Sequence, residues 1–361
     1  MSRVRDHWPT TPVETSLVRE LAALQTGTGP QSAAGARAAV AQGDLPAARV
    51  NELLDVFTAQ LQSRHLDLAA RALQAMGEGF YTIGSAGHES NAVVGLLAAP
   101  DDPALLHYRS GGFYAGRALR AQSGDPVRDV LLSMVCARSD PMSGGRHKVF
   151  GHPELHIIPQ TSTIASHLPR AVGLGYALGL ARRIGRPAPW PQDAVVLCSF
   201  GDASASHSTA VGAINAAAYL AHRGIDCPVL FLCEDNGIGI STPTPPEWIA
   251  RMLGSVPGVP LWSGEGDDPV NLLETSRAAL QGVRAARRPG ILHIRTVRFL
   301  GHAGSDAEIA YRTPRQIEAD YARDPILATA RALVRSGALT GAQALARYEL
   351  SRERVIEATG A

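Results

Sequence analysis

The strongest hydrophobic pattern along the chain begins at Ala194. Residues 195–200 (VVLCSF) form an apolar run without polar alternation, as expected of a parallel strand buried on both faces. Residues 208–222 read as an alanine-rich helix, and Pro228–Cys233 (PVLFLC) as a second buried strand. Strand, helix and strand at this spacing make a βαβ unit with a right-handed crossover. A third strand is expected at Gly290–Val297. The predicted fold is therefore α/β, a doubly wound and mostly parallel sheet whose ligands lie beyond the carboxyl ends of the strands.

Upstream the period changes. Between Leu45 and Met76, Val50, Leu53, Leu54, Phe57, Leu61, Leu68 and Leu73 recur near helical spacing, which predicts one or two helices. A short helix at Val127–Cys136 and a long small-residue helix at Ser166–Ile184 follow. Gly77–Leu119 and Ser139–Pro159 mix glycine, histidine, tyrosine and arginine, a composition that suggests site-forming loops. Residues 26–43 read as a loose arm. The expected division is an N-terminal extension, partly helical, over 1–49, a main domain over 50–330 and a helical tail over 331–361.

The two buried strands both run into oxygen donors. The first leads into Gly201-Asp202-Ala203-Ser204, the second into Glu234-Asp235-Asn236-Gly237-Ile238. Neighbouring strand ends bring Asp202 and Asn236 towards one point. A carboxylate, an amide oxygen and a turn carbonyl make a hard, weakly charged ligand set that suits magnesium when phosphate oxygens complete its octahedron. Gly201 and Gly237 allow close backbone approach, and the helix after Ser208 offers N–H groups to anions. Taken singly, Asp202 could equally be a helix N-cap and Asn236-Gly237 an ordinary turn.

Composition removes several function classes. The net charge of +1 gives no electrostatic footprint for nucleic acid or an anionic membrane. Lys148 is the sole lysine, so Schiff-base chemistry is confined to one position. Cys136, Cys198, Cys227 and Cys233 form no CxxC pair, and three of them sit in strand-like apolar surroundings. Met1–Gln25 lacks the apolar core of a signal peptide, and no run approaches the roughly 18 apolar residues of a membrane span. A cytoplasmic enzyme is expected. Two imitations are set aside: Gly173-Leu174-Gly175 lies within a helical stretch, and His147, His152 and His156 do not have zinc-ligand spacing.

Several segments, in order, carry a resemblance. They are residues 84–96 (GSAGHESNAVVGL), 107–111 (HYRSG), 161–175 (TSTIASHLPRAVGLG), the Asp202…Asn236 pair, 298–312 (RFLGHAGSDAEIAYR) and Asp324-Pro325-Ile326. The chain resembles, over roughly 50–330, the alpha subunit or alpha portion of the thiamine-diphosphate-dependent 2-oxo acid dehydrogenases acting on pyruvate or branched-chain 2-oxo acids. The resemblance implies the thiamine-diphosphate-binding, transketolase-like fold, with thiamine diphosphate and Mg2+ as cofactors. It implies Asp202, Asn236 and the Ile238 carbonyl as metal ligands, and Gly201, Ala203 and Ser204 along the diphosphate. Tyr108 and Arg109 would hold the diphosphate, Ile164 would prop the bent cofactor, and Ser162 would lie beside the pyrimidine. His302, with Ser162, would serve the reaction itself. Thr161, Ser166 and His167 fall where some relatives bind potassium, His167 replacing an amide often found there. Ala203 stands where glycine is usual, His207 where glutamate is usual, and Ala303 where mammalian relatives carry a phosphorylated serine.

The implied activity is oxidative decarboxylation of a 2-oxo acid with acyl transfer to a lipoyl carrier. The glutamate that activates the aminopyrimidine comes, in this family, from the beta portion. A beta subunit in an alpha2beta2 heterotetramer, or a fused beta portion, is therefore expected, together with a lipoyl-bearing acyltransferase. A transketolase-like or carboligating enzyme and a non-catalytic cofactor-binding subunit are the alternatives.

Overall fold

The computed structural model describes residues 3–26, 45–80, 83–146, 149–161 and 163–360. The expected arm at 26–43 lies outside them from residue 27 onward, and so do His147 and Lys148.

The central sheet has five strands: β1 (Ala104–Leu105), β2 (Val196–Gly201), β3 (Val229–Asp235), β6 (Leu261–Glu265) and β7 (Gly290–Arg295). Their order is β1-β2-β3-β7-β6, with every neighbouring pair parallel. A separate hairpin joins β4 (Ile238–Gly239) to β5 (Thr242–Pro243). The apolar runs have the expected cause. Alternate residues of β2 and β3 serve different cores, Leu197, Leu230 and Leu232 facing one layer and Val196, Cys198, Phe200 and Phe231 the other. The first layer contains the single 29-residue helix Ala47–Ala75, with Pro269–Ala286 and the terminal helices Pro12–Thr26 and Gly341–Ala358. The second contains His167–Arg183 and Ser208–His222. Cys198, Cys227 and Cys233 are buried free thiols.

The glycines of His167–Arg183 explain its close seat on the sheet. A Cβ on Gly175 would lie 2.6 Å from a Val229 methyl, and one on Gly179 would lie 2.4 Å from the Asp226 carbonyl oxygen. Gly173 meets nothing.

One sequence expectation is corrected. Gly77–Leu119 is not loop throughout, because it also holds the helix Ala92–Leu97 and most of Gly111–Ala121. Gly95 and Gly116 serve a helix crossing, whereas Gly77 and Gly87 take positive φ in turns. A Cβ at Gly95 would come within 2.3 Å of the Phe113 carbonyl oxygen, and one at Gly116 within 2.7 Å of that of Ala92.

Arg64, fully buried on the long helix, ties three distant segments together. Its Nε donates to Glu89 at 2.5 Å, while its terminal nitrogens donate to Glu14 at 2.9 Å and to both oxygens of Asp324 at 3.1 and 3.2 Å. Asp324 also caps the helix Pro325–Arg335 by accepting from the Ile326 N–H. Burial works against the Arg64 charge, but attraction to Asp324, Glu89 and Glu14 holds its pKa above the ordinary value. Burial, partly offset by Arg64, lifts Glu89 to about 7.

Arg64→Met should therefore destabilise the protein by about 3–5 kcal/mol, since it strands buried carboxyls without their counter-charge. Arg64→Lys should recover only part, because an ammonium cannot reproduce the planar fork. Chemical denaturation checks this, and an unchanged midpoint for Arg64→Met would show that the cluster contributes nothing to stability.

Candidate functional site

The parallel register pairs Gly201 with Glu234, so the chain leaves β2 and β3 side by side at their carboxyl ends. Asp202 opens the short helix Asp202–Ala205, with its carboxyl 2% exposed and accepting a hydrogen bond from the Thr244 hydroxyl. Burial raises the Asp202 pKa, with Thr244 offsetting part of the effect. A buried carboxylate of this kind gains from a cation.

Asn236 follows β3. Its Oδ1 accepts the Ile238 N–H at 3.1 Å, and its Nδ2 meets His88 Nε2 at 2.9 Å. Between them Gly237 holds φ +75°, a conformation that side chains disfavour. A Cβ on Gly201 would meet no atom nearer than 3.9 Å, which leaves the backbone open to a bulky anion. The Asp202 carboxylate, Asn236 Oδ1 and Ile238 carbonyl are the oxygen donors at these strand ends, and that set could hold magnesium with phosphate oxygens.

The two departures from the usual loop are accommodated. The Ala203 methyl lies against Gly239, where an added Cβ would be only 2.6 Å from it. His207 is the N-cap of Ser208–His222, its Nδ1 accepting the Thr209 N–H at 3.2 Å. One of the N–H groups expected to be free for anions is thereby taken.

Tyr108, Arg109 and His302 are brought together from separate loops. Arg109 donates to the Gly84 carbonyl at 2.5 Å and to the His302 carbonyl at 2.9 Å, and its Nη2 meets His302 Nδ1 at 3.2 Å. Its guanidinium lies over the Tyr108 ring, and the Tyr108 and His302 rings meet edge-on at 6.2 Å. Burial, reinforced by Arg109 and Arg298 against Asp306, depresses His302 to about 4. His302 is thus neutral at physiological pH. With Nδ1 accepting from Arg109, its proton sits on Nε2.

Ile164, 43% exposed, lines a cavity with Tyr108, His107, Thr161, His167 and Ser204. Ser162 lies outside the described residues. His167 Nε2 is bound to the Ser199 carbonyl at 2.6 Å, which anchors its ring to β2. The Thr161 and Ser166 hydroxyls lie 3.4 Å apart.

Sequence reasoning missed a buried polar layer beneath the strand ends. Glu234 Oε2 meets His88 Nδ1 at 2.7 Å and accepts from Asn91 Nδ2 at 3.1 Å, and Asn91 also donates to the Arg109 carbonyl. Burial lifts Glu234 to about 8 against the pull of Asn91 and Arg109, while burial and Arg109 depress His88. Because Asn236 Nδ2 can only donate to His88 Nε2, the ring keeps its proton on Nδ1, and the His88–Glu234 contact is a hydrogen bond from a neutral imidazole rather than an ion pair. His88 did stand in a motif segment, but nothing local distinguished it from a helix start.

The family model described as "Dehydrogenase E1 component" matches residues 58–361. The 2-oxoisovalerate dehydrogenase subunit alpha of Bacillus subtilis is 26% identical over 300 residues, which are 80% of this chain and 84% of that protein. The mitochondrial 2-oxoisovalerate dehydrogenase alpha subunits of Bos taurus and Homo sapiens are each 28% identical over 278 residues, 75% of this chain. The match spans 56% and 58% of those two proteins, little more than half their length. The chain belongs to the dehydrogenase E1 component family, on the alpha-subunit side of the 2-oxo acid dehydrogenases.

Proposed function

We infer that this chain is the cofactor-anchoring subunit of a branched-chain 2-oxo acid dehydrogenase, a cytoplasmic enzyme that binds thiamine diphosphate through Mg2+. The observation that carries this reading is that Asp202 and Asn236 follow adjacent parallel strands at their carboxyl ends, with the Tyr108–Arg109–His302 cluster assembled as a second group. Asp202, Asn236 Oδ1 and the Ile238 carbonyl hold the metal, and Gly201, Ala203 and Ser204 line the diphosphate. Tyr108 and Arg109 would hold the diphosphate, the guanidinium supplying a fixed positive charge while its terminal nitrogens donate to Gly84 and His302. Ile164 borders the organic part of the cofactor. When bound, thiamine diphosphate supplies the electron sink for loss of carbon dioxide from a 2-oxo acid.

His302 acts as a neutral donor. Its Nε2–H is available to an oxygen that gains negative charge, and the contact with Arg109 fixes the tautomer that keeps the proton there. An oxidoreductase of this class passes its acyl group to a lipoyl carrier, and a beta subunit completes the site.

His302→Ala should lower turnover by roughly 100-fold or more, the scale for removing a group that acts on developing charge. Cofactor affinity should change little, because the His302 main-chain carbonyl still accepts from Arg109 after the substitution. The assay is carbon dioxide release from 2-oxoisovalerate and pyruvate by the chain with its beta partner, offering a lipoyl carrier or an aldehyde as acceptor. Acyl transfer to the aldehyde alone would replace this reading with a carboligating enzyme, and full activity of His302→Ala would remove His302 from the reaction.

A further inference from the structure

The metal-ligand reading of Asn236 requires its amide to present oxygen, not nitrogen, to the cation. An amide can be seated either way round, and the wrong orientation would aim N–H groups at a positive ion. The surrounding bonds remove this freedom. The Ile238 backbone N–H can only donate, so the end of Asn236 that it meets at 3.1 Å is Oδ1. The other end is Nδ2, which lies 2.9 Å from His88 Nε2 and must donate to it. His88 Nε2 is therefore a bare acceptor, and in the neutral ring the proton belongs on Nδ1. That proton is received by Glu234 Oε2 at 2.7 Å. His88 is fully buried and Glu234 nearly so, which leaves neither with water as an alternative partner.

We propose that His88, its tautomer set by Glu234, is a positioning residue that keeps the Asn236 amide oxygen turned towards the cation. The proposal rests on the metal-site reading above. It assigns to the Gly84–Gly95 segment a role in cation binding carried by a side chain that touches neither metal nor cofactor. Glu234 starts the relay, the imidazole passes it across β3's end, and Asn236 delivers it. An outer partner of this kind governs a ligand's orientation as much as its basicity. The same geometry gives Asn91 a supporting part, since its Nδ2 is shared between Glu234 Oε2 and the Arg109 carbonyl.

Two polar substitutions at position 88 separate the bonds. An asparagine amide reaches the place of Nδ1, so His88→Asn keeps the bond to Glu234 and loses the acceptor for Asn236. A glutamine amide reaches the place of Nε2, so His88→Gln keeps the acceptor. The measurement is the Kd for magnesium at saturating thiamine diphosphate, by calorimetry on the full chain, with melting curves of the ligand-free variants alongside. His88→Asn should weaken magnesium by about 10- to 100-fold, the usual scale for an outer-shell partner. His88→Gln should restore most of that loss, with both variants melting alike.

A carboxylate has no amide end to misplace. In an Asn236→Asp background His88→Asn should therefore lose most of its effect, and a purely structural role for His88 would not produce that coupling. Equal magnesium affinity for wild type and His88→Asn, or an equal loss in both backgrounds, overturns the proposal. Wild-type chain that binds thiamine diphosphate just as well without magnesium overturns the metal site itself, and the proposal with it.

Discussion

Asp202→Ala should abolish magnesium-dependent binding of thiamine diphosphate and leave the ligand-free protein at least as stable as before. The two halves of this expectation come from one observation. Asp202 is 2% exposed and its pKa is raised by burial, so the free chain bears the cost of a poorly solvated carboxyl. Removing it relieves that cost, and the Thr244 hydroxyl loses one acceptor in exchange. On the reading proposed above the same carboxylate is a direct ligand in the loaded protein, and its loss should weaken the cofactor by on the order of several kcal/mol. Such a split between stability and function is common at sites built for a ligand. Calorimetric titration with magnesium and thiamine diphosphate gives the first quantity, and a melting curve without ligand gives the second. Unchanged cofactor affinity would sink the assignment of Asp202, whereas a large fall in ligand-free stability would mean that it is structural.

The second large effect concerns the proposed beta partner. Alone, the chain should release essentially no carbon dioxide from a 2-oxo acid, and adding a beta partner should restore turnover by orders of magnitude. The resemblance places the pyrimidine-activating glutamate in the beta portion. The buried carboxyl beneath the site, Glu234, is already engaged by His88 and Asn91. Exposed apolar side chains are candidates for that contact. Tyr176, Val211, Tyr219 and Ile184 are exposed on the helices His167–Arg183 and Ser208–His222 or just beyond, and Ile240 and Trp248 stand out near the hairpin that follows the metal loop. An obligate interface between such subunits buries on the order of 2,000 Å2 or more and is markedly apolar. Robust turnover by the chain alone would show that the activating group lies within residues 1–361, and Glu234 would be the first to replace.

The parts of this molecule legible in its sequence are those in which local composition and tertiary role coincide. β2, β3 and β7 are buried on both faces, so their apolar runs are nearly continuous, that of β7 broken by His293, which meets Asp235 at 2.9 Å. β6 is an edge strand, LWSGE, half-exposed and broken by Gly264, and it left no such run. β1 is two residues long. The two helices within Gly77–Leu119 were missed for a different reason: a glycine that lets two helices cross looks, in one dimension, like a glycine that turns a loop. In the site, Asp202 and Asn236 were visible because strand ends advertise their neighbours. The His88–Glu234 bond spans 146 residues, and no periodicity or spacing encodes it.

The contact between Ala203 and Gly239 has a consequence for how this loop can change over time. With the Ala203 methyl filling the space beside Gly239, any side chain at 239 collides with it, so the second position is frozen while the first keeps its methyl. A lineage that reverts position 203 to glycine frees 239 to drift, and once 239 has gained a side chain the return to alanine at 203 is blocked. The two sites thus work as a ratchet: the order of substitution decides which pair of residues a lineage can reach.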